Sequence, residues 1–290
     1  MKRMSKGERI FQVFNYFIIT LIALSMLLPI LHVLAQSLSG ELAINSGKVT
    51  ILPVDFTFVN YQIVLKDMSV WRAFMVSVVV TVFGTLFNLA ATASLAYPLS
   101  RSEYLGRRYV LMMVLLTFIF SAPLIPNYLL IRSLGMLDTL WALIIPGAIS
   151  AYNLFIMRSF FNNLPGELID SGRIDGAGEM RILWSIVLPL SKPAMATMGL
   201  FYAVSHWNSY SSAMYYINNR ALYPLQVRLR EIVITDTFGE MDSSFENLAN
   251  MSPEGMKMAV IAISTLPIMM VYPFLQKYFI KGMLIGSIKS

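Results

Sequence analysis

The stretch ELIDSGRIDGAGEMRILWSIVLPLSKP, residues 167–193, carries four acids (Glu167, Asp170, Asp175, Glu179), three glycines and two arginines inside an otherwise apolar chain. Pro165 fits the first turn of a short helix, and Glu167 and Asp170 complement that helix's positive end. Gly172, Gly176 and Gly178 then lower helix propensity and allow a turn. A second helical piece, over roughly 179–187, sets Met180, Leu183, Trp184 and Val187 on one side, and Pro189 and Pro193 kink or end it. The pattern predicts an amphipathic helix–turn–helix too short to cross a bilayer. Such an element rests on lipid or docks into a groove of another protein.

Composition says what surrounds it. Of 290 residues, 57% are hydrophobic and 13% charged, and the mean hydropathy is +0.64. A soluble domain carries about a quarter charged residues, so the solvent here is lipid. Apolar stretches at 14–35, 70–99, 109–131, 140–161, 191–213 and 256–280 each approach the roughly 20 residues that span a bilayer. Ser205, His206, Asn208 and Ser209 interrupt the fifth. The expected architecture is an all-α polytopic membrane protein with six transmembrane helices. Its parts are an N-terminal segment at 1–13, a membrane domain at 14–280 and a C-terminal segment at 281–290. Outer loops at 36–69 and 214–255 are too small for independent domains, and the inner loop at 162–190 holds most of the opening stretch. No repeat or low-complexity segment is evident.

Orientation follows from Lys and Arg. With the N-terminus inside, 14 of them fall on the inner side and 8 on the outer, and the short loop SRSEYLGRR at 100–108 contributes most clearly. Both termini are therefore expected in the cytoplasm, and so is 167–193. The net charge of +6 then reflects cations beside anionic lipid rather than nucleic acid. The acids of 167–193 disfavour that same lipid, so docking onto a protein is the better reading. The first segment ends V-L-A before Gln36, as a signal-peptidase site would, but its apolar region is long for a signal peptide and retention is expected.

Several chemistries are missing. There is no cysteine, and the only histidines, His32 and His206, are far apart in sequence, so no metal site is expected. The 20 methionines read as adaptable packing. GELAINSGK at 40–48 has six residues between its glycines and Val49 after the lysine, so it is no phosphate loop. Asp170 and Asp175 lie in a polar loop and read as solvated rather than catalytic. The spans carry almost no charge, which argues against a proton-coupled carrier, while sodium coupling through carbonyls and hydroxyls requires no such charge. A membrane enzyme would need convergent acids, a metal cluster or a nucleophile–base pair. The alternatives to a partner-driven transporter are thus a stand-alone secondary carrier or channel and, last, such an enzyme.

Uncharged polarity remains inside the spans. Thr81, Thr85, Asn88 and Thr92 share one helix face, with Gly84 and Ala91 beside them. The favoured reading is a close helix–helix contact, and the other is a pore-lining stripe. HWNSYSSAMYY at 206–216 offers hydrogen bonds and flat apolar faces, which suit sugar rings. For Tyr215 and Tyr216 an interfacial aromatic belt is the better reading. For His206, Trp207 and Asn208 the sugar-facing and buried readings stand side by side.

With these residues in view, 167–193 resembles the cytoplasmic Glu-Ala-Ala loop of permease subunits of ABC importers. Asp175-Gly176-Ala177 and Ile186-Val187-Leu188-Pro189 match the family's Asp-Gly-Ala and Ile-x-Leu-Pro, whereas Asp170-Ser171-Gly172 stands where Glu-Ala-Ala is expected. PLIPNYLLIRSLGMLDTLWALIIP (123–146), FIMRSFFNNLPGEL (155–168), HWNSY and LYPLQVRLREI (222–232) also look like the second permease of carbohydrate importers. Within that group the chain is most similar to the type serving oligosaccharides and polysaccharide fragments, including alginate importers.

The resemblance implies a type I ABC importer permease (MetI-like) fold and a multi-pass protein of the bacterial plasma (inner) membrane. It implies a homologous second permease, two cytoplasmic ABC ATPase subunits that bind ATP and Mg, an extracytoplasmic substrate-binding protein and a sugar substrate. This chain would itself bind no cofactor and catalyse nothing. Glu167, Asp170, Ser171, Gly172, Asp175, Gly176, Ala177, Leu188 and Pro189 would form the ATPase-coupling element. Asn88, Asn127, Tyr128, His206, Trp207, Asn208 and Tyr210 are the candidates for the translocation path. Tyr223, Gln226, Arg228 and Arg230 are those for binding-protein contact. The acids of the outer loop, Glu231, Asp236, Glu240, Asp242, Glu246 and Glu254, resemble in position a loop that reaches into the binding protein.

Overall fold

The structure, a computed structural model, describes residues 6–235 and 252–287. Asp236, Glu240, Asp242 and Glu246 of the expected outer loop lie outside the described residues. In chain order the helices are α1 (Lys6–Ser37), α2 (Glu41–Asn45), α3 (Val59–Lys66), α4 (Met68–Ser100), α5 (Arg107–Ile119), α6 (Leu124–Ser133), α7 (Trp141–Ile144) and α8 (Ala151–Asn162). There follow α9 (Gly166–Ile174), α10 (Glu179–Ile182), α11 (Leu188–Leu190), α12 (Lys192–Trp207), α13 (Tyr210–Tyr216), α14 (Leu225–Thr235) and α15 (Pro253–Ser287). No strand occurs among the described residues.

By length and composition, three stretches of helix could cross a membrane: Gly7–Ser37, Met68–Ser100 and Pro253–Val271. Two bent pairs qualify jointly, Trp141–Gly147 with Ala151–Asn162 at 54° and Glu179–Leu190 with Lys192–Trp207 at 87°, which makes up to five among the described residues. The expected sixth, 109–131, is divided between α5 and α6. Pro123 disfavours helical backbone at the residue before it, and Phe120 and Pro123 are both extended. Pro146 similarly sits in a 3-10 turn between α7 and α8. The expected span at 191–213 stops at Trp207, and Asn208 and Ser209 turn the chain into α13.

The chain forms two compact units. The first takes the described residues up to Val70 and those of Leu229–Leu266. Here α1 is apolar and almost wholly exposed until its last turn, the pattern of a helix facing lipid. Its end is packed: Ala35 joins Ala43, Ile44 and Val49 in a small core. Asn60 donates its amide to the carbonyls of Ser37 and Ser39 at 3.1 and 3.3 Å.

The second unit takes Trp71–Arg228 and the described residues from Pro267. Along α4 the buried positions include Ala73, Ser77, Val80, Gly84, Asn88, Thr92, Ala96 and Leu99, spaced by three or four residues on one face. The opposite face shows Met75, Val82, Phe83 and Leu86 outward, as lipid permits. The main core joins Tyr97 and Leu99 of α4, Leu154, Met157 and Phe161 of α8, Ile169 of α9, Ile182 of α10, Leu183 and Val187 after it, and Met198 of α12. The expected helix–turn–helix is therefore seated on the membrane helices by one face.

Candidate functional site

Local chemistry ends α9. Gly176 has φ +77°, its N–H donates to the Arg173 carbonyl at 3.0 Å, and Ala177 N–H donates to the Gly172 carbonyl at 3.0 Å. That pair of bonds is a Schellman termination with glycine in the left-handed position. Pro165 precedes the first helical residue, and Glu167 lies in the first turn. Gly172 is buried because Ile182 and Ile186 lie against it: a β-carbon there would come 2.9 Å from Ile186 Cδ1.

The following piece differs from expectation. Ile182, Leu183 and Val187 are buried, whereas Met180 and Trp184 are 65% and 58% exposed. A π-helical turn spans Leu183–Val187, and this wide turn adds a residue to the helix just before Pro189. Pro189 thus does not end the helix. The sharp bend comes at Ser191, and Pro193 follows in the first turn of α12, where no N–H is required. The outward face of the element carries Glu167, Leu168, Asp170, Ile174, Asp175, Met180 and Trp184, acids and large apolar groups together. Ser171 and Pro189 are also exposed, while Ala177 and Leu188 pack against the core.

Arg173, not singled out in the sequence, is the electrostatic hub. Its guanidinium meets Glu179 at 2.8 Å, Glu103 at 3.3 Å and Asp170 at 3.5 Å. The hydrogen bond to Glu179 above all holds the guanidinium pKa above its ordinary value. Glu103 is held below the usual carboxylate range by its own backbone N–H and then by Arg173. Both partners are therefore fully charged at neutral pH.

Further along the unit, a cavity of about 640 Å³ is lined by α8, α12, α13 and the Pro146–Gly147 break. The break leaves the Gly147 carbonyl outside regular helix, and Asn88 Nδ2 donates to it at 3.0 Å. The same amide nitrogen lies 3.1 Å from His206 Nε2, which must accept, so the ring proton sits on Nδ1. Asn88 Oδ1 and Ser209 Oγ are buried with no hydrogen-bond partner among the described residues. Tyr202 Oη accepts from the Ser150 N–H at 3.0 Å and lies 2.7 Å from Thr92 Oγ1. Tyr152, Tyr210 and Tyr216 contribute flat faces, and no charged side chain lines the cavity among the described residues.

Of the seven path candidates, Asn88, His206, Asn208 and Tyr210 line this cavity. Trp207 does not: it packs edge-on to Phe74 at 6.0 Å and faces an apolar crevice with Val78, Thr81 and Val204. Asn127 caps the α5–α6 break by donating to the Ala122 carbonyl at 3.1 Å, and Tyr128 stacks behind Tyr216 at 6.4 Å. Asn153 and Tyr202 were missed: the signal for Asn153 was polarity close after the Pro146–Gly147 break in an apolar span, whereas Tyr202 lies within α12 with no such break beside it. Within the stripe, Thr92 and Asn88 meet Tyr202 and His206 of α12 and Gly84 meets the His206 ring, as the helix–helix reading has it, while Asn88 also lines the cavity, as the pore-lining reading has it.

At the unit's other end, Asp138 at φ +58° accepts the backbone N–H groups of Asn218 and Asn219 at 2.5 and 2.9 Å. These bonds hold its carboxyl below the usual range. Tyr223 packs near Val80 and Val227, and Leu225 N–H donates to Ser77 Oγ at 2.8 Å, which seats the start of α14. Gln226 and Arg228 are half-buried, and Arg230 is exposed.

Comparison with known proteins agrees with this layout. Residues 95–285 match the family described as binding-protein-dependent transport system inner membrane component. The chain is 42% identical over 284 residues to the polygalacturonan/rhamnogalacturonan transport system permease protein YtcP of Bacillus subtilis (strain 168), covering 98% of this chain and 99% of that one. It is 43% identical over 286 residues to Protein LplC of the same organism, covering 99% and 97%. A chain from the crystal structure of a bacterial ABC transporter involved in the import of the acidic polysaccharide alginate superposes with a TM-score of 0.90 at 35% identity. That match covers 96% of this chain and 100% of the other.

Proposed function

The chain belongs to the binding-protein-dependent transport system inner membrane component family, and from that membership we propose that it imports an oligosaccharide or polysaccharide fragment by alternating access coupled to a partner ATPase. Its fold is the all-helical MetI-like fold of ABC importer permeases, and it is a permease subunit rather than an enzyme. The proposed assembly adds a homologous second permease, two cytoplasmic ATPase subunits that bind ATP and Mg, and an extracytoplasmic binding protein. It sits in the bacterial plasma membrane with both termini of this chain in the cytoplasm.

The observation that carries the reading is the two-faced loop at 162–190. One face is locked into the core by Ile169, Gly172, Ile182 and Leu183, and the other exposes acids beside Ile174, Met180 and Trp184. Exposed apolar groups of that size, framed by charge, suit a groove on a protein partner. Closure of the ATPase pair around ATP displaces this element, and the buried face passes the displacement to the helices beneath. The uncharged cavity with Asn88, His206, Asn208 and Tyr210 is the sugar's route, offering amide and hydroxyl partners for its hydroxyls and aromatic faces for its C–H surface. Tyr223, Gln226, Arg228 and Arg230 serve the binding protein. The names of the relatives, pectic polymers and alginate, favour a uronic-acid oligosaccharide.

The test is purification from membranes in mild detergent, followed by reconstitution in liposomes. An ATPase and a second permease should co-purify, and labelled oligogalacturonide or alginate oligosaccharide should enter with ATP. Gly176→Pro and Asp170→Arg should abolish uptake and the stimulation of ATP hydrolysis while assembly survives. Normal uptake in both variants removes the coupling assignment.

A further inference from the structure

Tyr97, on the buried face of α4, donates its hydroxyl to Glu179 Oε2 at 2.5 Å. The other oxygen of Glu179 accepts from Arg173 Nε at 2.8 Å, and Arg173 reaches Glu103 in the turn after α4 at 3.3 Å. One connected chain of charge-assisted bonds thus runs from the exposed loop into a side chain that is only 5% exposed. It ties the two ends of the Gly176 turn to each other and both to α4.

The same end of α4 is strapped to α8. Arg158 Nε donates to the Leu99 carbonyl at 2.8 Å, and Arg101 donates to the Phe161 carbonyl at 2.7 Å. Both helices then run unbroken to the cavity, where α4 supplies Asn88 and α8 supplies Tyr152 and Asn153. Tyr97 and Asn88 are about 14 Å apart along one continuous helix. Apolar packing of Ile182 and Leu183 resists compression but is non-directional and permits sliding. The hydrogen-bonded chain has a fixed geometry and so defines where the loop grips the helix.

We infer that the Tyr97–Glu179–Arg173 chain is the grip through which displacement of the loop moves α4, and with it the α8-lined cavity. Tyr97, Glu179 and Arg173 are accordingly positioning residues for transport: they act through α4, and none of them lines the cavity. The inference rests on the importer reading above. Coupling between loop and cavity is a property of the assembled transporter, so it has to be measured there.

Because the chain has no cysteine, a single Ser205→Cys substitution places the chain's one thiol in the cavity lining. The readout is the rate at which a maleimide labels that thiol in the purified, reconstituted complex, with and without ATP and vanadate. With the chain of bonds intact, ATP should change the rate. Tyr97→Phe and Glu179→Gln, each near-isosteric, should shrink that change about tenfold, the effect of losing one hydrogen bond to a charged group. The double variant should lose no more than the stronger single one, and ATP hydrolysis should continue. Arg173→Lys, which keeps charge but loses the planar fork, should fall between. A full ATP-dependent change in both single variants overturns the inference, including when their melting temperatures drop, since that pattern marks a merely structural role. Co-purification distinguishes the two failures. A complex without any ATPase overturns the importer reading and this inference together, whereas an ATPase-bearing complex with unchanged labelling overturns this inference alone.

Discussion

Gly84 and His206 occupy one space: a β-carbon on Gly84 would lie 2.6 Å from Nε2, 2.8 Å from Cε1 and 2.9 Å from Cδ2 of the imidazole. All three are atoms of a rigid ring that is itself buried and bonded to Asn88. Gly84→Ala therefore forces α4 and α12 apart or expels the ring from its place. We expect a loss of about 1–3 kcal/mol, read as a lower melting temperature in detergent. Adding His206→Ala should recover most of that loss, because the obstructing ring is gone. A Gly84→Ala protein as stable as the parent would show that the contact is looser than the geometry states.

Asn88 is the next link. Its amide satisfies both the Gly147 carbonyl and His206 Nε2, two acceptors on different elements. Asn88→Leu keeps the volume and removes the donor, stranding both acceptors in a low-dielectric site at about 1–3 kcal/mol each. The expected result is a larger fall in melting temperature than for Thr81→Val, which removes a hydroxyl that has no hydrogen-bond partner among the described residues. Equal melting temperatures would contradict this ranking.

These contacts mark how far the amino-acid order could be read. The loop at 167–193 was legible because its determinants are local: proline before a first turn, glycine at a helix end, acids at the positive pole. The membrane character was legible from hydropathy, and the Thr–Asn stripe from its spacing. Pro123 and Pro126 stood in plain view within the third apolar stretch, but apolar length outweighed them and the break between α5 and α6 was not anticipated. Neighbouring residues on a helix point about 100° apart. Whether His206 or Trp207 faces the cavity was therefore decided by packing against α4, which no local pattern encodes. The Tyr97–Glu179 bond joins positions 82 apart in sequence, and only the packed core brings them together.

Two glycines of the loop should respond to alanine with opposite sign. Gly172 lies inside α9, and its nearest obstacle is the far end of a flexible side chain, Ile186 Cδ1. Gly172→Ala should be neutral or stabilising by up to about 1 kcal/mol, the gain in helix propensity less a small shift of Ile186. It also restores the small apolar residue that the Glu-Ala-Ala pattern has there. At Gly176 there is open space but φ is +77°, so alanine gains nothing and adds backbone strain of about 1 kcal/mol or more. Melting temperatures measured side by side should move apart, and parallel movement would refute the distinction between space and backbone.

Asp138 offers a test by pH. The backbone N–H groups of Asn218 and Asn219 depress its carboxyl pKa in the folded protein. A depressed carboxylate contributes stability that is complete above its unfolded value, about 3.9, and that is lost as pH falls through the folded one. The bonds fasten the segment after α13 to the turn before α7, and Asp138 N–H answers by donating to the Tyr216 carbonyl at 2.9 Å. Asp138→Asn keeps the shape and the tolerance for positive φ but replaces the anionic acceptor with a neutral one. The variant should melt lower than the parent at pH 7, and the two curves should converge as pH falls below about 4, where the parent's carboxylate is being protonated. A constant gap between parent and variant across that range would mean that the stability at this turn comes from the backbone fold and not from the charge on Asp138.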